Sequence, residues 1–166
     1  MLAGAIGGLA GTWTMNHAQR WWTRAMGEQP PASAAGKHDA REWQERSEGQ
    51  NSNELAAEAV LSPLVGRRLT RDELAVAAAV VHYSFGAAVG ALYGAYVERA
   101  RGQRFHSGVG LGSALWITAD EIAMPVLGLS APTTRRPLEM HLQSFVAHIV
   151  YGVVAERVRS RTRRQL

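Results

Sequence analysis

Residues 74–97 read LAVAAAVVHYSFGAAVGALYGAYV, a run of 24 positions without an acid, a lysine or an arginine. At about 1.5 Å per residue, a helix of this length reaches roughly 36 Å, which is enough to cross a hydrocarbon core of about 30 Å. The preceding Thr70-Arg-Asp-Glu73 has the spacing of a capping box, in which Glu73 follows the capping hydroxyl by three positions. The stretch therefore predicts a membrane span with a defined start.

Three more apolar stretches accompany it, and together they predict an all-α integral membrane bundle of four transmembrane helices. The predicted spans cover residues 1–19, 74–97, 107–129 and 137–156, within a single membrane domain of residues 1–166. The alternative is a soluble four-helix bundle with an unusually apolar core. Interior glycines disfavour it, because each costs a soluble helix roughly 1 kcal/mol relative to alanine, whereas in membranes small residues let helices approach closely.

The first span has a second interpretation, as a secretory signal peptide. It lacks the positively charged start of such peptides, so we predict a retained span, although Asn16 and His17 make its end polar. The overall mean hydropathy of −0.14 is low for a membrane protein because the polar residues are concentrated in a few segments.

A polar insertion at residues 20–72 separates the first two spans. It opens with Arg20-Trp-Trp, a pattern suited to a membrane interface. A loop is predicted at 27–36 and a short charged helix at 38–48. The cap residue and apolar spacing of 53–61 predict a surface helix, which Pro63 should end.

Composition excludes some classes of site and partner. The chain has no cysteine, so disulfides and thiolate metal sites are impossible. Its sequence pI of about 10.1 comes from arginine, and five arginines lie in the basic tail at 157–166. Such a tail suits nucleic acid or a juxtamembrane anchor. Because it follows a span and has no aromatic residue for stacking, we expect the lipid bilayer and no nucleic acid as its partner, with both termini cytoplasmic.

Two stretches repeat. Tyr93-Gly-Ala-Tyr-Val-Glu-Arg99 and Tyr151-Gly-Val-Val-Ala-Glu-Arg157 share the pattern Y-G-x-x-x-E-R. Gly7–Gly11 with Trp13 also echoes Gly108–Gly112 with Trp116. These matches indicate two repeated helical hairpins, with chance similarity of a short motif as the alternative, and parallel-repeat membrane folds have such symmetry.

Glycines at intervals of four form smooth stripes on three spans, as in a glycine zipper. The stripes are Gly86, Gly90 and Gly94; Gly7 and Gly11; and Gly108 and Gly112. Their physical role is close helix packing. Packing within the chain is the favoured use, and a face for a homo-oligomer or a larger membrane complex is the alternative.

The third span contains two adjacent acids, Asp120 and Glu121. Charged side chains in hydrocarbon cost roughly 2.5–3.5 kcal/mol on insertion scales, so they normally face a partner or a water-filled cavity. Consecutive residues point about 100° apart on an α-helix, which predicts that the two acids occupy different niches.

If the spans alternate in direction, polar groups from all four helices lie in the half nearer the insertion or near mid-depth. This predicted polar cluster comprises Asp120, Glu121, His82, His141, His148, Asn16 and His17. A structural network that only satisfies its own groups is the leading interpretation. A proton or ion pathway is the second, and a metal or haem site the third. No pair of helical metal-ligand spacing surrounds the acids, so neither a metal nor another cofactor is predicted.

Pro125 follows the acids by four to five positions and cannot donate a backbone hydrogen bond. Either it kinks the helix and opens a carbonyl toward a cavity, or the helix ends there and 125–132 forms an interfacial turn. No phosphate-binding loop, nucleotide fingerprint or Ser/His/Asp motif is present, so no catalytic residue is assigned.

The chain resembles the YagU-like inner-membrane proteins, a bacterial family built around a domain of unknown function. The matching stretches are Gly7–Gly11, Val81–Gly86, Gly90–Gly94, Leu115–Pro125, Leu127–Ser130, His141 and His148–Gly152. The resemblance implies a multi-span protein of the bacterial inner membrane, without an established activity. Gln29-Pro-Pro-Ala32 departs from the Pro-Pro-Arg of that family.

These observations predict a non-enzymatic membrane component that packs with itself or with a larger assembly. A proton- or ion-handling protein that uses the acids and histidines is the alternative.

Overall fold

The computed structural model describes residues 1–26, 50–100 and 108–165. The predicted loop at 27–36, the predicted charged helix at 38–48 and the connection at 101–107 lie outside these ranges. Every regular element in the described ranges is helical, as the sequence predicts.

The helices follow the predicted apolar stretches and extend beyond several of them. They are α1 (Leu2–Met26), α2 (Ser52–Val65), α3 (Arg71–Arg99), α4 (Gly108–Leu115), α5 (Met124–Val126) and α6 (Leu138–Arg163). A π-helical segment, Trp116–Ala123, joins α4 to α5 without a break, and a 3₁₀ turn, Thr133–Arg135, precedes α6.

Only α3, among the described helices, is both long enough and apolar enough to qualify as a membrane span. Polar residues such as Asn16, His17 and Gln19 dilute the apolar character of α1, and α6 carries charges at both ends. The stretch 108–126 is divided among three helical segments. Helices thus lie at the positions of all four predicted spans, and α3 is the one described helix that meets both the length and the hydropathy criterion for a span.

Helix caps decide where α2 and α3 begin. Thr70 and Glu73 form the predicted capping box at α3, with the Thr70 amide donating to Oε2 of Glu73 at 2.9 Å. Asn51 and Glu54 form a second capping box at α2. The prediction that Pro63 ends α2 is wrong: the helix runs on to Val65 and ends before Gly66, which has a φ of 73°. A proline removes one backbone hydrogen bond from a helix. Because Pro63 lies only two residues before the end of α2, little of the helix follows the missing bond.

Glycines bring the backbones of α1 and α3 together. A Cβ on Gly4 would clash with the carbonyl of Gly90, and one on Gly8 would clash with the carbonyl of Gly86. The contact moves forward along α1, from Gly4 to Gly8, as it moves backward along α3, from Gly90 to Gly86, so the two helices are antiparallel. We call this pair the first hairpin.

The pair α4 and α6, the second hairpin, crosses in the same way. A Cβ on Gly108 would clash with the carbonyl of Gly152, and one on Gly112 with the carbonyl of His148. The next atoms met are the following Cα atoms in both hairpins, those of Ala87 and Ala91 in the first and Ile149 and Val153 in the second. The two crossings thus share one backbone geometry.

The crossing geometry and the sequence motifs pair different residues of the two hairpins. Gly152 takes the place of Gly90, one helical turn away from Gly94, which the Y-G-x-x-x-E-R pattern aligns with it. Gly108 and Gly112 correspond to Gly4 and Gly8. The remaining stripe on α1, Gly7 and Gly11, faces α6 instead.

Helix α1 joins the two hairpins through this second stripe. Gly7 lies against the carbonyl of Ala155 and Gly11 against Tyr151. Tyr151 is only 1% exposed, packs with Met15 and donates a hydrogen bond from its hydroxyl to the carbonyl of Gly86 at 2.7 Å. One side chain of α6 thus contacts both helices of the first hairpin.

The outer faces of the helices are apolar. Exposed large apolar side chains include Leu2, Ile6, Leu9 and Trp13 on α1, Val76, Val80, Phe85 and Leu92 on α3, and Leu138, Leu142 and Val146 on α6. The buried positions are largely glycine, alanine and hydrogen-bonded polar residues. The predicted basic tail is partly helical, since α6 continues to Arg163, and Arg159 within it is buried against Glu156 at 2.7 Å.

A candidate polar site at the end of the second hairpin

The two acids lie on the π-helical segment. Its wider register is visible at its end, where the Met124 amide donates to the carbonyl of Ala119, five residues earlier. A π-helix has more residues per turn than an α-helix, so successive side chains diverge by a smaller angle. Asp120 and Glu121 are therefore closer in direction than α-helical spacing predicts.

Pro125, just beyond the acids, has no amide hydrogen to donate. Side chains of the following segment donate in its place. In α-helical register residue 125 would donate to the carbonyl of Glu121, and in π-helical register to that of Asp120. The Glu121 carbonyl instead accepts from the Thr133 hydroxyl at 2.9 Å, and the Asp120 carbonyl accepts from Nη2 of Arg136 at 3.1 Å. The helix ends at Val126, and its freed carbonyls anchor the returning chain.

A single arginine bridges both carboxylates. Nη1 of Arg136 is 3.5 Å from Oδ2 of Asp120, and its Nη2 is 3.2 Å from Oε1 of Glu121. The side chain of Arg136 is 8% exposed, and those of the acids are 21% and 11% exposed. The planar fork of guanidinium donors lets one cation serve two acceptors. The prediction that the acids occupy different niches is therefore wrong.

Both ring nitrogens of His141 face acceptors. Nε2 is 3.1 Å from the Thr133 carbonyl, which can only accept, so this nitrogen carries a hydrogen. Nδ1 is 2.8 Å from Oε1 of Glu121. One further proton must lie between ring and carboxylate, because two acceptors facing each other without a proton would repel. His141 thus links the Glu121 side chain to the backbone of Thr133.

Asp120 has a second partner on α6. The Ser144 hydroxyl donates a short hydrogen bond to Oδ2 of Asp120 and lies 3.4 Å from Nδ1 of His148. His148 is buried and donates from Nδ1 to the Ser144 carbonyl at 2.8 Å. The described contacts therefore run continuously from His148 through Ser144, Asp120, Arg136 and Glu121 to His141. We call these six residues the polar network.

The other predicted cluster residues lie elsewhere. Asn16 and His82 line a cavity between α1, α2 and α3. His17 is exposed, donates from Nδ1 to the Trp13 carbonyl at 2.8 Å and packs its ring against that of Trp13. The structure therefore groups Asp120, Glu121, His141 and His148. Asn16 and His17 lie apart from this group, whereas His82 is near enough to His148 to interact with it electrostatically.

Sequence reasoning missed Arg136, Ser144 and Thr133. A signal for Ser144 exists, because it follows His141 by three positions and precedes His148 by four, which places all three on one helix face. Arg136 and Thr133 lie in the connection before α6, where nothing in the local pattern indicates that the chain folds back onto the acids. Within the described ranges, no group of three or more His, Cys, Asp or Glu residues is arranged to hold a metal ion.

Comparison with known families places the chain without assigning an activity. A family described as "Protein of unknown function (DUF1440)" matches residues 68–157, more than half of the chain, and the chain belongs to this family. No curated protein matches, and no solved structure matches. The matched region contains α3, α4, the first 20 residues of α6 and the entire polar network.

Proposed function

We propose that this member of the DUF1440 family is a non-enzymatic component of the bacterial inner membrane, built from four spanning helices and able to assemble with itself or with a larger complex. The supporting observation is the distribution of side chains, with apolar residues outside and glycines, alanines and ion pairs inside. Only 28% of the most apolar window of α3 is buried, whereas the core helix of a soluble protein would be mostly buried.

The polar network has a structural role in this proposal. Unpaired carboxylates in an apolar environment would be costly, and Arg136, Ser144 and His141 satisfy them from within the chain. The glycines of the helix crossings also pack against other helices of the same chain. Assembly with another copy or a partner would therefore use the exposed apolar faces of the helices.

Membrane fractionation tests the first part of the proposal. The full-length protein should remain in the membrane pellet after washing with alkaline carbonate and should be released by detergent. Release into the soluble fraction by carbonate alone would contradict an integral membrane protein. Size-exclusion chromatography with light scattering in detergent then tests assembly, and a strictly monomeric particle would contradict self-association.

The direct contact between His141 and Glu121 supports a second candidate, a proton-handling protein. The chain of contacts from His148 to His141 contains carboxyl, hydroxyl and imidazole groups, which can exchange protons. Glu121→Gln and Asp120→Asn should then abolish proton flux in proteoliposomes while the variants still fold. If the wild type shows no flux and both variants lose stability, the structural role is supported instead.

A further inference from the structure

A cavity of about 600 Å³ opens between α1, the start of α2 and α3. Its volume is within the range of about 300–1,000 Å³ that is usual for small-molecule sites. It belongs to the first hairpin and is separate from the polar network, so no interaction described above explains it.

Two arginines give the cavity its charge. Arg20 and Arg24 are four residues apart and share one face of α1. Neither makes an ion pair or a hydrogen bond with any residue in the described ranges. Guanidinium groups match the geometry of phosphate and carboxylate oxygens and bind them through paired donors. The cavity thus presents two cations that have no anionic partner within the described ranges.

A histidine of α3 also lines the cavity. Nε2 of His82 has no hydrogen-bond partner among the described residues, and because this atom is inaccessible to solvent it would reach a ligand in the cavity only if the ring turned. The acid Glu54 also lines the cavity, but its Oε2 accepts the Asn51 amide of the capping box at 2.8 Å. Two guanidinium groups against one engaged carboxylate leave a net positive site.

The second hairpin shows what occupies the corresponding place there. Asn16 follows Gly8 by eight residues, as Asp120 follows Gly112, and His82 precedes Gly86 by four residues, as Ser144 precedes His148. The cavity therefore corresponds in position to the polar network. In the second hairpin the chain fills this position with its own acids and Arg136. In the first hairpin the two arginines line this position, and among the described lining residues the one acid is Glu54, which caps α2.

We propose that this cavity binds a phosphate group, carried either by an anionic lipid headgroup or by a free phosphate compound. Phosphate supplies the acceptors that Arg20, Arg24 and His82 lack. Trp21 and Trp22 lie beside the arginines, and tryptophan with arginine is typical of the level at which lipid headgroups lie. Binding of a free phosphate compound does not require the protein to lie in a membrane. The phosphate site and the proposed membrane function can therefore be disproved independently.

Purified, delipidated full-length protein tests this site with two probes. The first is phosphatidylglycerol in nanodiscs, compared with phosphatidylcholine alone and measured as retained lipid by native mass spectrometry. The second is inorganic phosphate, measured by isothermal titration calorimetry. The double variant Arg20→Gln/Arg24→Gln should lower affinity about tenfold or more, because charge-assisted bonds are lost. His82→Ala should lower it by roughly threefold without changing the net charge.

The matched control is Arg161→Gln/Arg164→Gln, which removes the same charge from two exposed positions at the end of α6. It should bind as the wild type does, and circular dichroism should show that all variants are helical. A preference for phosphatidylglycerol assigns the site to a lipid headgroup, and phosphate binding without that preference assigns it to a free phosphate compound. Binding of neither probe, or an equal loss in the control, overturns the proposal.

Discussion

The two hairpins share one backbone crossing and differ in what lies beyond it. In the first hairpin, Gly4 and Gly8 meet Gly86 and Gly90, and in the second, Gly108 and Gly112 meet His148 and Gly152. Beyond the crossing, the first hairpin has a cavity with two arginines that have no partner in the described ranges, whereas the second has a closed set of ion pairs. The comparison teaches that one packing geometry supports two electrostatic arrangements: a balanced set of charges, and an excess of positive charge among the described cavity-lining residues.

The largest effect is expected from Arg136→Met, which makes the second hairpin as incomplete as the first. Removing one partner of a buried ion pair costs about 3–5 kcal/mol, because Asp120 and Glu121 would remain partly buried without their cation. Chemical unfolding in detergent measures the loss. Adding Asp120→Asn and Glu121→Gln to the variant should recover much of the stability.

The matched control for that substitution is Arg67→Met. Arg67 forms an ion pair with Glu73 at 2.6 Å, but both side chains are about half exposed. Ion pairs between exposed side chains contribute little to stability, so this variant should be nearly as stable as the wild type. Equal losses for Arg67→Met and Arg136→Met would contradict the role of the buried bridge.

Gly8→Leu and Gly112→Leu test whether the two crossings are equivalent. The new side chains would meet backbone carbonyls rather than flexible side chains, so the helices must separate, at a cost of about 1–3 kcal/mol each. Thermal unfolding in detergent should give similar losses for the two variants. Ala88→Leu, at an exposed position of α3, is the control and should have little effect. A loss confined to one hairpin would break the comparison.

Thr133→Val tests the bond that replaces the donor missing at Pro125. The variant keeps the shape of the side chain but cannot donate to the Glu121 carbonyl, and a typical net loss is about 1 kcal/mol. Thr134→Val, at the neighbouring exposed position, should be neutral. If both variants were neutral, the hydroxyl would not anchor the returning chain.

Asn16→Asp sharpens the comparison by giving the first hairpin an acid where the second has Asp120. A carboxylate beside Arg20 and His82 would supply the anion from within the chain. Stability should change by less than about 1 kcal/mol, since the arginines are exposed. Phosphate binding should weaken markedly. Unchanged phosphate affinity in calorimetry would show that Asn16 does not lie close to the bound group.

Local signals predicted the helices well because they depend on neighbouring residues. Thr70 and Glu73 lie three positions apart and marked the start of α3 correctly. The same reasoning failed at Pro63, since a proline near the end of a helix disturbs few bonds. At Pro125 the sequence predicted either a kink that opens a carbonyl or the end of the helix. The helix ends at Val126, and the freed carbonyl of Glu121 accepts a hydrogen bond from Thr133, so each outcome describes part of the structure.

Tertiary partners were less accessible from the sequence. The spacing of the glycines indicates close packing but does not tell which stripe meets which, and Gly7 and Gly11 proved to face α6. Arg136 reaches the acids only because the chain reverses between Val126 and Leu138, and no local periodicity encodes that path. His17 shared a predicted depth with the acids, yet a local bond to Trp13 turns its ring away from them.

The crossing points also bear on the order in which the hairpins assemble. Gly112 and His148 are 36 positions apart, whereas Gly8 and Gly86 are 78 positions apart. The entropy of closing a flexible loop grows with the logarithm of its length, so the longer closure costs about 0.7 kcal/mol more. We expect the second hairpin to close first and to present α6 as a template on which α1 and then α3 dock. Pulsed hydrogen exchange during refolding should protect the amides of α6 before those of α3.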